Sequence, residues 1–241
     1  MIAHALTLAA LLAAPAAQPA RPAAPATAPS VQPVQPAPPA AAPAVEKAPA
    51  ADPAQLAASV RAHTDQLIAA FKRVQEDDGK LSAAAKATNA QAYAELDALL
   101  ARDHFTAIAI APRAAKFGAA ELATFKAQFW DVVQRIAYPG SGAFFREGEV
   151  KIAAPTLAGE VWTIELTAYV PSEDLTTVVG LQWQAEGDKL RIVDVLFDGD
   201  SLVRDYQNQF ARIVDKDGAA GLLKALADKR AELMKKAEPA Q

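Results

Sequence analysis

Apolar positions recur with two different periods along this chain, and the change from one to the other divides it. Leu56, Val60, His63, Leu67 and Phe71 lie at helical spacing behind Asp52-Pro53, a fitting N-cap and first-turn pair, and predict a helix from Pro53 to about Val74. Glu76-Asp77-Asp78-Gly79 follows as an acidic turn. A second helix is expected around Ala90 to Arg102, with Tyr93, Leu96 and Leu100 on one stripe. A short segment carrying Phe105, Ile108 and Ala109 comes next and should stop at Pro112. Leu122, Phe125, Phe129, Val132, Val133 and Ile136 mark a helix from Ala119 to Tyr138, after which Pro139-Gly140-Ser141-Gly142 is expected to break the chain.

Past that point the period falls from near 3.6 to 2. Trp162, Ile164, Leu166, Ala168 and Val170 alternate with more polar neighbours, and so do Thr177, Val179, Leu181 and Trp183. The short connection around Gly187 marks a hairpin into a strand from Leu190 to Phe197, and Phe144 to Ile152 supplies a fourth, weaker strand. A last helical section starts at Ser201 as N-cap, is interrupted at Gly218 and ends in an amphipathic helix from Gly221 to about Lys236. Short links between strands imply antiparallel neighbours. The order predicts an α+β domain, with helices packed on a curved antiparallel sheet of about four strands.

Composition sets the limits of that domain. Of the 17 prolines, 12 fall between Pro15 and Pro53, and residues 1 to 53 carry formal charge only at Arg21, Glu46, Lys47 and Asp52. Such a stretch cannot bury enough apolar surface to offset the entropy of ordering it. Ala5 to Ala14 is a ten-residue apolar run followed by small residues, the layout of a signal peptide over residues 1–17, and it is too short to span a bilayer. Residues 18–51 read as an Ala/Pro linker, either an extended spacer or a neutral low-complexity insertion. The folded domain is expected over residues 52–238.

From residue 54 onward there are 22 Lys and Arg against 26 Asp and Glu, and no basic surplus to attract nucleic acid. With no cysteine, disulfides, thiolate metal sites and thiol nucleophiles are excluded, and only three histidines occur. His63 sits on an apolar stripe and His104 follows Asp103, neither at a triad or ligand spacing. No catalytic residue and no metal or cofactor site is assigned. Asp194 stands out within an apolar strand, as either a buried general base or an acceptor of hydrogen bonds from the turn or helix that follows. Lys224, Lys229, Arg230, Lys235 and Lys236 form either a contact for anionic headgroups or a solvated helix face.

The segment LRIVDVLFDGDSLVRDYQNQFARIVDKDGAAGLLKAL, from Leu190 to Leu226, resembles the C-terminal part of the toluene-tolerance family. The resemblance is carried by Ile192, Asp194-Val195, Gly199, Ser201-Leu202, Tyr206, Phe210, Gly218, Leu222 and Leu226 in that order. The chain departs from the family pattern at Ala111 to Gly118 and at Val179 to Trp183. The resemblance implies a soluble periplasmic carrier of phospholipid in the Mla lipid-asymmetry pathway, holding acyl chains in an apolar pocket between sheet and helices. It also implies exchange with an inner-membrane ABC transporter complex and an outer-membrane lipoprotein complex. The other reading is a cone-shaped α+β enzyme or small-ligand binder using Asp194 and Tyr169.

Strand alternation then suggests the pocket. Trp162, Ile164, Leu166, Val179, Leu181 and Trp183 are expected to face the helices, opposite Phe105, Ile108, Phe129, Val133 and Tyr206. Between them a cavity of several hundred Å³ is expected, as at ordinary ligand sites. A slip of one residue would turn every named strand residue to the other face.

Overall fold

In the computed structural model, which describes residues 52–77, 79–172 and 174–236, Asp52 accepts a hydrogen bond from the Ala54 N–H at 3.0 Å and starts helix α1 (Pro53–Arg73). The expected leader (1–17) and linker (18–51) lie outside the described residues, as do residues 237 and 238 of the expected domain. Helix α2 (Ala83–Leu99) starts earlier than its apolar stripe suggests, because the Ser82 hydroxyl accepts from the Ala85 N–H at 3.2 Å and caps an alanine-rich first turn. Helix α3 (Arg102–Ile110) runs into a 3-10 turn, Ala111–Lys116. Pro112 therefore ends the α-helix but sits in the first turn of the next element, where its missing N–H is harmless.

The expected break at Pro139 does not occur: helix α4 (Ala119–Glu147) passes through it. Tertiary packing explains the difference. A Cβ on Gly142 would lie 2.7 Å from the Val74 carbonyl oxygen and 2.9 Å from that of Phe71, so the glycine lets α4 touch the end of α1 backbone to backbone. Arg146, one turn on, donates to the Val74 carbonyl and satisfies an end that α1 leaves open. Phe144 and Phe145 consequently belong to the helix, and the expected weak strand shrinks to β1 (Glu149–Ile152).

The sheet continues with β2 (Thr156–Ala158), β3 (Val161–Val170), β4 (Leu175–Glu186), β5 (Lys189–Phe197) and β6 (Asp200–Ser201), all antiparallel. The order is β1-β3-β4-β5-β6, with β2 paired to β3 beside β1, giving six strands where about four were expected. The additional strands, β2 and β6, have three and two residues, too few to carry a period. Helix α5 (Leu202–Lys236) closes the described chain and kinks at Gly218, whose φ of 72° a side chain would resist.

Trp162 pairs with Trp183, Ile164 with Leu181 and Leu166 with Val179, and all six are buried on the helix side. On β5 a bulge shifts this alternation. Gln182 lies opposite Asp194 but Trp183 lies opposite Ile192, which leaves Val193 as the extra residue. Ile192 faces the helices before the bulge, and Val195 and Phe197, opposite Leu181 and Val179, face them after it. Without the bulge Asp194 would share the inner face with Ile192.

A second apolar layer sits between helices. Phe125 meets Phe117, Phe129 and Phe210 at ring separations of 6.0, 5.5 and 5.6 Å, and Tyr206 joins Phe129 edge-on at 4.8 Å. Among the described residues no helix is long and apolar enough to cross a membrane.

Candidate functional site: an apolar cavity between helix α4 and the sheet

The continued helix α4 determines where the hollow forms. Val133, Ala137, Ser141 and Phe145 recur every four residues on one stripe, and this stripe faces the inner surface of β4 and β5 across a cavity of about 100 Å³. Val179 and Leu181 contribute from β4; Ile192, Val195 and Phe197 come from β5. Leu67 and Phe71 of α1, Leu100 and Phe105 near α3, and Leu202 and Tyr206 of α5 complete the wall with Phe129, Trp130, Tyr138 and Phe144. Of these, Val133, Ala137, Ser141, Val195, Phe197 and Leu202 are only partly buried. The mouth therefore opens between α4 and the junction of β5 with α5.

Of the residues assigned from sequence, Phe105, Phe129, Val133, Val179, Leu181 and Tyr206 line this cavity. Ile108, Trp162, Ile164, Leu166 and Trp183 do not. Ile164 and Leu166 lie fully buried on β3, next to the β1 edge. Trp162 and Trp183 pair at the far end of the strands, where Trp183 meets the His63 ring at 5.9 Å. Ile108 packs beside the core from α3, and its carbonyl accepts from Gln207 at 2.7 Å. Sequence reasoning missed Tyr138, the last residue of the expected helix, because that residue stands outside the apolar stripe from Leu122 to Ile136. It missed Ser141, Phe144 and Phe145 because it ended the helix at the proline. The four-residue recurrence through Pro139 was the available signal. Val195 and Phe197 escaped it because nothing in the residue pattern marks Val193 as a bulge.

The cavity is smaller than the several hundred Å³ expected. Aromatic rings occupy the space: Phe71 stacks on Phe145 at 5.6 Å and meets Tyr138 edge-on at 5.8 Å.

Polar groups hold the wall from behind. Asp97 of α2 accepts hydrogen bonds from Trp130 Nε1 at 3.1 Å, Gln134 Nε2 at 2.8 Å and the Tyr138 hydroxyl at 2.7 Å. Three donors of α4 are thus fixed to one carboxylate. Burial, followed by the neighbouring Asp97 charge, raises the Tyr138 phenol far above its ordinary range, so it stays a donor. On the other lip, Asp194 accepts from the Ser201 hydroxyl, from Val195 N–H at 2.8 Å and from Val203 N–H at 3.2 Å. Ser201 in turn accepts from Arg204 N–H at 3.1 Å and caps α5. Burial and the nearby Asp200 and Asp194 raise Asp205 on the same turn.

Asp194 and Tyr169 are not brought together. Asp194 lies opposite Gln182, itself opposite Thr163, and Tyr169 is six residues further along β3, roughly 20 Å at strand rise. Both point away from the cavity, and the Tyr169 hydroxyl donates to Asp174 at 3.1 Å. Among the described residues no cluster of three or more His, Asp or Glu is placed to hold a metal ion. The basic residues near the end of α5 engage acids locally, Lys224 with Asp228 and Lys229 with Glu232 at 3.0 Å, and Arg230 reaches Asp131 of α4 at 2.7 Å.

Comparison with known proteins adds two findings. The family model described as MlaC protein matches residues 64–228. Among solved structures, the phospholipid-binding protein from Ralstonia solanacearum, in complex with a phospholipid, is similar at a TM-score of 0.58 and 18% identity, covering 73% of this chain and 97% of that one. At that identity the likeness is one of fold. No curated protein matches the chain.

Proposed function

Because the chain belongs to the MlaC protein family, we propose that it is a periplasmic phospholipid carrier which takes acyl chains into the cavity between α4 and the sheet. The observation that carries this reading is the wall itself: a buried, almost wholly apolar hollow with one partly exposed mouth. The fold it shares with a phospholipid-binding protein from Ralstonia solanacearum supports it. The lipid passes between an inner-membrane ABC transporter complex and an outer-membrane lipoprotein complex, with no bond made or broken. Residues 1–17 serve as the export signal, residues 18–51 as a linker, and the unit from residue 52 binds the lipid.

Energetics suit a shuttle. Each buried methylene contributes about 0.8 kcal/mol relative to water, and a bilayer returns nearly the same, so neither pocket nor membrane holds the lipid irreversibly. A cavity of about 100 Å³ falls below the 300–1,000 Å³ usual for ligand sites, so loading requires the walls to part. Parting at α4 is eased where Pro139 lacks the N–H that would bind the Arg135 carbonyl.

Mass spectrometry of lipids extracted from the purified protein tests the reading. Phospholipid in near-equimolar amount is the expected result. A protein that emerges empty, and stays empty after incubation with phospholipid vesicles, would sink it.

A further inference from the structure

Four side chains of the cavity wall carry groups able to form hydrogen bonds: Trp130, Tyr138, Ser141 and Tyr206. Asp97 takes the first two, and Ser141 lies at the partly exposed mouth. Tyr206 is different. It is 2% exposed, and its hydroxyl has no hydrogen-bond partner among the described residues. Native interiors rarely leave a buried hydroxyl unserved, because its lost hydration is not replaced.

The ring is held in place by its neighbours. Phe129 meets it edge-on at 4.8 Å and Phe210 stacks on it at 5.6 Å. Burial, with the Asp205 charge adding, raises the phenol far above its ordinary range, so it keeps its proton and remains a donor.

Position along α5 indicates what the donor meets. Leu202 sits at the mouth, and Tyr206 follows four residues later on the same stripe, about one helical pitch of 5.4 Å away and fully enclosed. A phospholipid with its headgroup outside the mouth brings its ester linkages in first and its methylenes beyond them. The ester oxygens are then the acceptors it carries into the apolar wall.

We propose that Tyr206 donates a hydrogen bond to an ester carbonyl oxygen of the bound lipid, and that the cavity thereby prefers ester-linked over ether-linked phospholipid. This rests on the carrier reading above. Selectivity follows because a site built to hydrogen-bond a ligand group rejects the analogue that lacks it.

The test uses the full chain, stripped of lipid, and two probes: a diester phosphatidylcholine and the diether phosphatidylcholine with the same chains. Each competes with a fluorescent phospholipid for wild type and for Tyr206→Phe. Wild type should bind the diester about tenfold more tightly, the size of one net hydrogen bond. Tyr206→Phe should lose that preference and bind both probes alike. Equal binding of the two probes by wild type overturns the proposal without any variant, and so does a preference that survives in Tyr206→Phe. Failure of wild type to bind either probe is a separate result that overturns the carrier reading and this assignment with it.

Discussion

Phe125 and Tyr138 belong to the same helix, at 0% and 1% exposure, yet their surroundings are opposite. Phe125 is packed on several sides by the rings of Phe117, Phe129 and Phe210. Tyr138 borders a hollow and is tied by its hydroxyl to Asp97. A solid cluster holds its members by mutual contact, whereas the lining of a void has no partner atoms on one side. Apart from Phe129 and Tyr206, which the aromatic block backs, the cavity wall is held at several points from its outer side by polar anchors. Asp97 holds Trp130, Gln134 and Tyr138, Arg146 holds the end of α4 to α1, and Asp194 holds the β5–α5 lip. The aromatic block is packed against itself, and the proposed lipid site is the anchored hollow.

The largest expected effect breaks the solid side. Phe125→Ala should cost ~3–5 kcal/mol in urea unfolding, the range for a buried phenylalanine. Leu181→Ala on the cavity wall should fall near the lower end of its range, about 2 kcal/mol, because the void already faces that side chain. Equal losses at the two sites would erase the contrast.

Next in size is the anchor behind the wall. Asp97→Asn keeps the shape but weakens charged hydrogen bonds to three donors, so a loss of ~2–3 kcal/mol is expected, together with reduced bound lipid. A variant as stable and as fully loaded as wild type would show that the wall needs no such support. Asp194→Asn should cost ~1–2 kcal/mol by the same measurement, while the folded protein keeps its lipid. Its oxygens serve the Ser201 cap and the bulged strand and do not face the cavity.

The smallest effect is expected on the outside of the helical layer. Arg113, and then Lys116, hydrogen-bond Asp215 and hold its carboxyl well below the ordinary carboxylate range. A carboxyl depressed in the folded state stabilises above its unfolded pKa, and that contribution disappears as pH falls through the folded value. Asp215→Asn should therefore slightly flatten the acid side of a melting-temperature profile, and added salt should shrink even that difference because the group is exposed.

The strands were legible in the residues because burial on one face forces a period of 2. Trp162 to Val170 and Thr177 to Trp183 take the register that this alternation implies. Helix α4 was only half legible. Pro139-Gly140-Ser141-Gly142 has the local chemistry of a break, but Gly142 lies against the carbonyls of Phe71 and Val74, more than sixty residues away, and no local pattern records that contact. The candidate site suffered most from this, since Ser141, Phe144 and Phe145 all follow from the helix continuing. Asp194 looked anomalous for a related reason. The Val193 bulge turns it outward and brings Val195 and Phe197 inward, so an apparent charge in an apolar strand is a carboxylate on the opposite face.

Trp130 offers the most direct measurement of the central claim, because it lines the cavity whereas Trp162 and Trp183 do not. Phospholipid brominated along its acyl chains should quench the intrinsic fluorescence of the wild-type protein. Trp130→Phe should abolish most of that quenching while binding of the lipid persists. Quenching that remains undiminished in Trp130→Phe would place the acyl chains elsewhere and contradict the account.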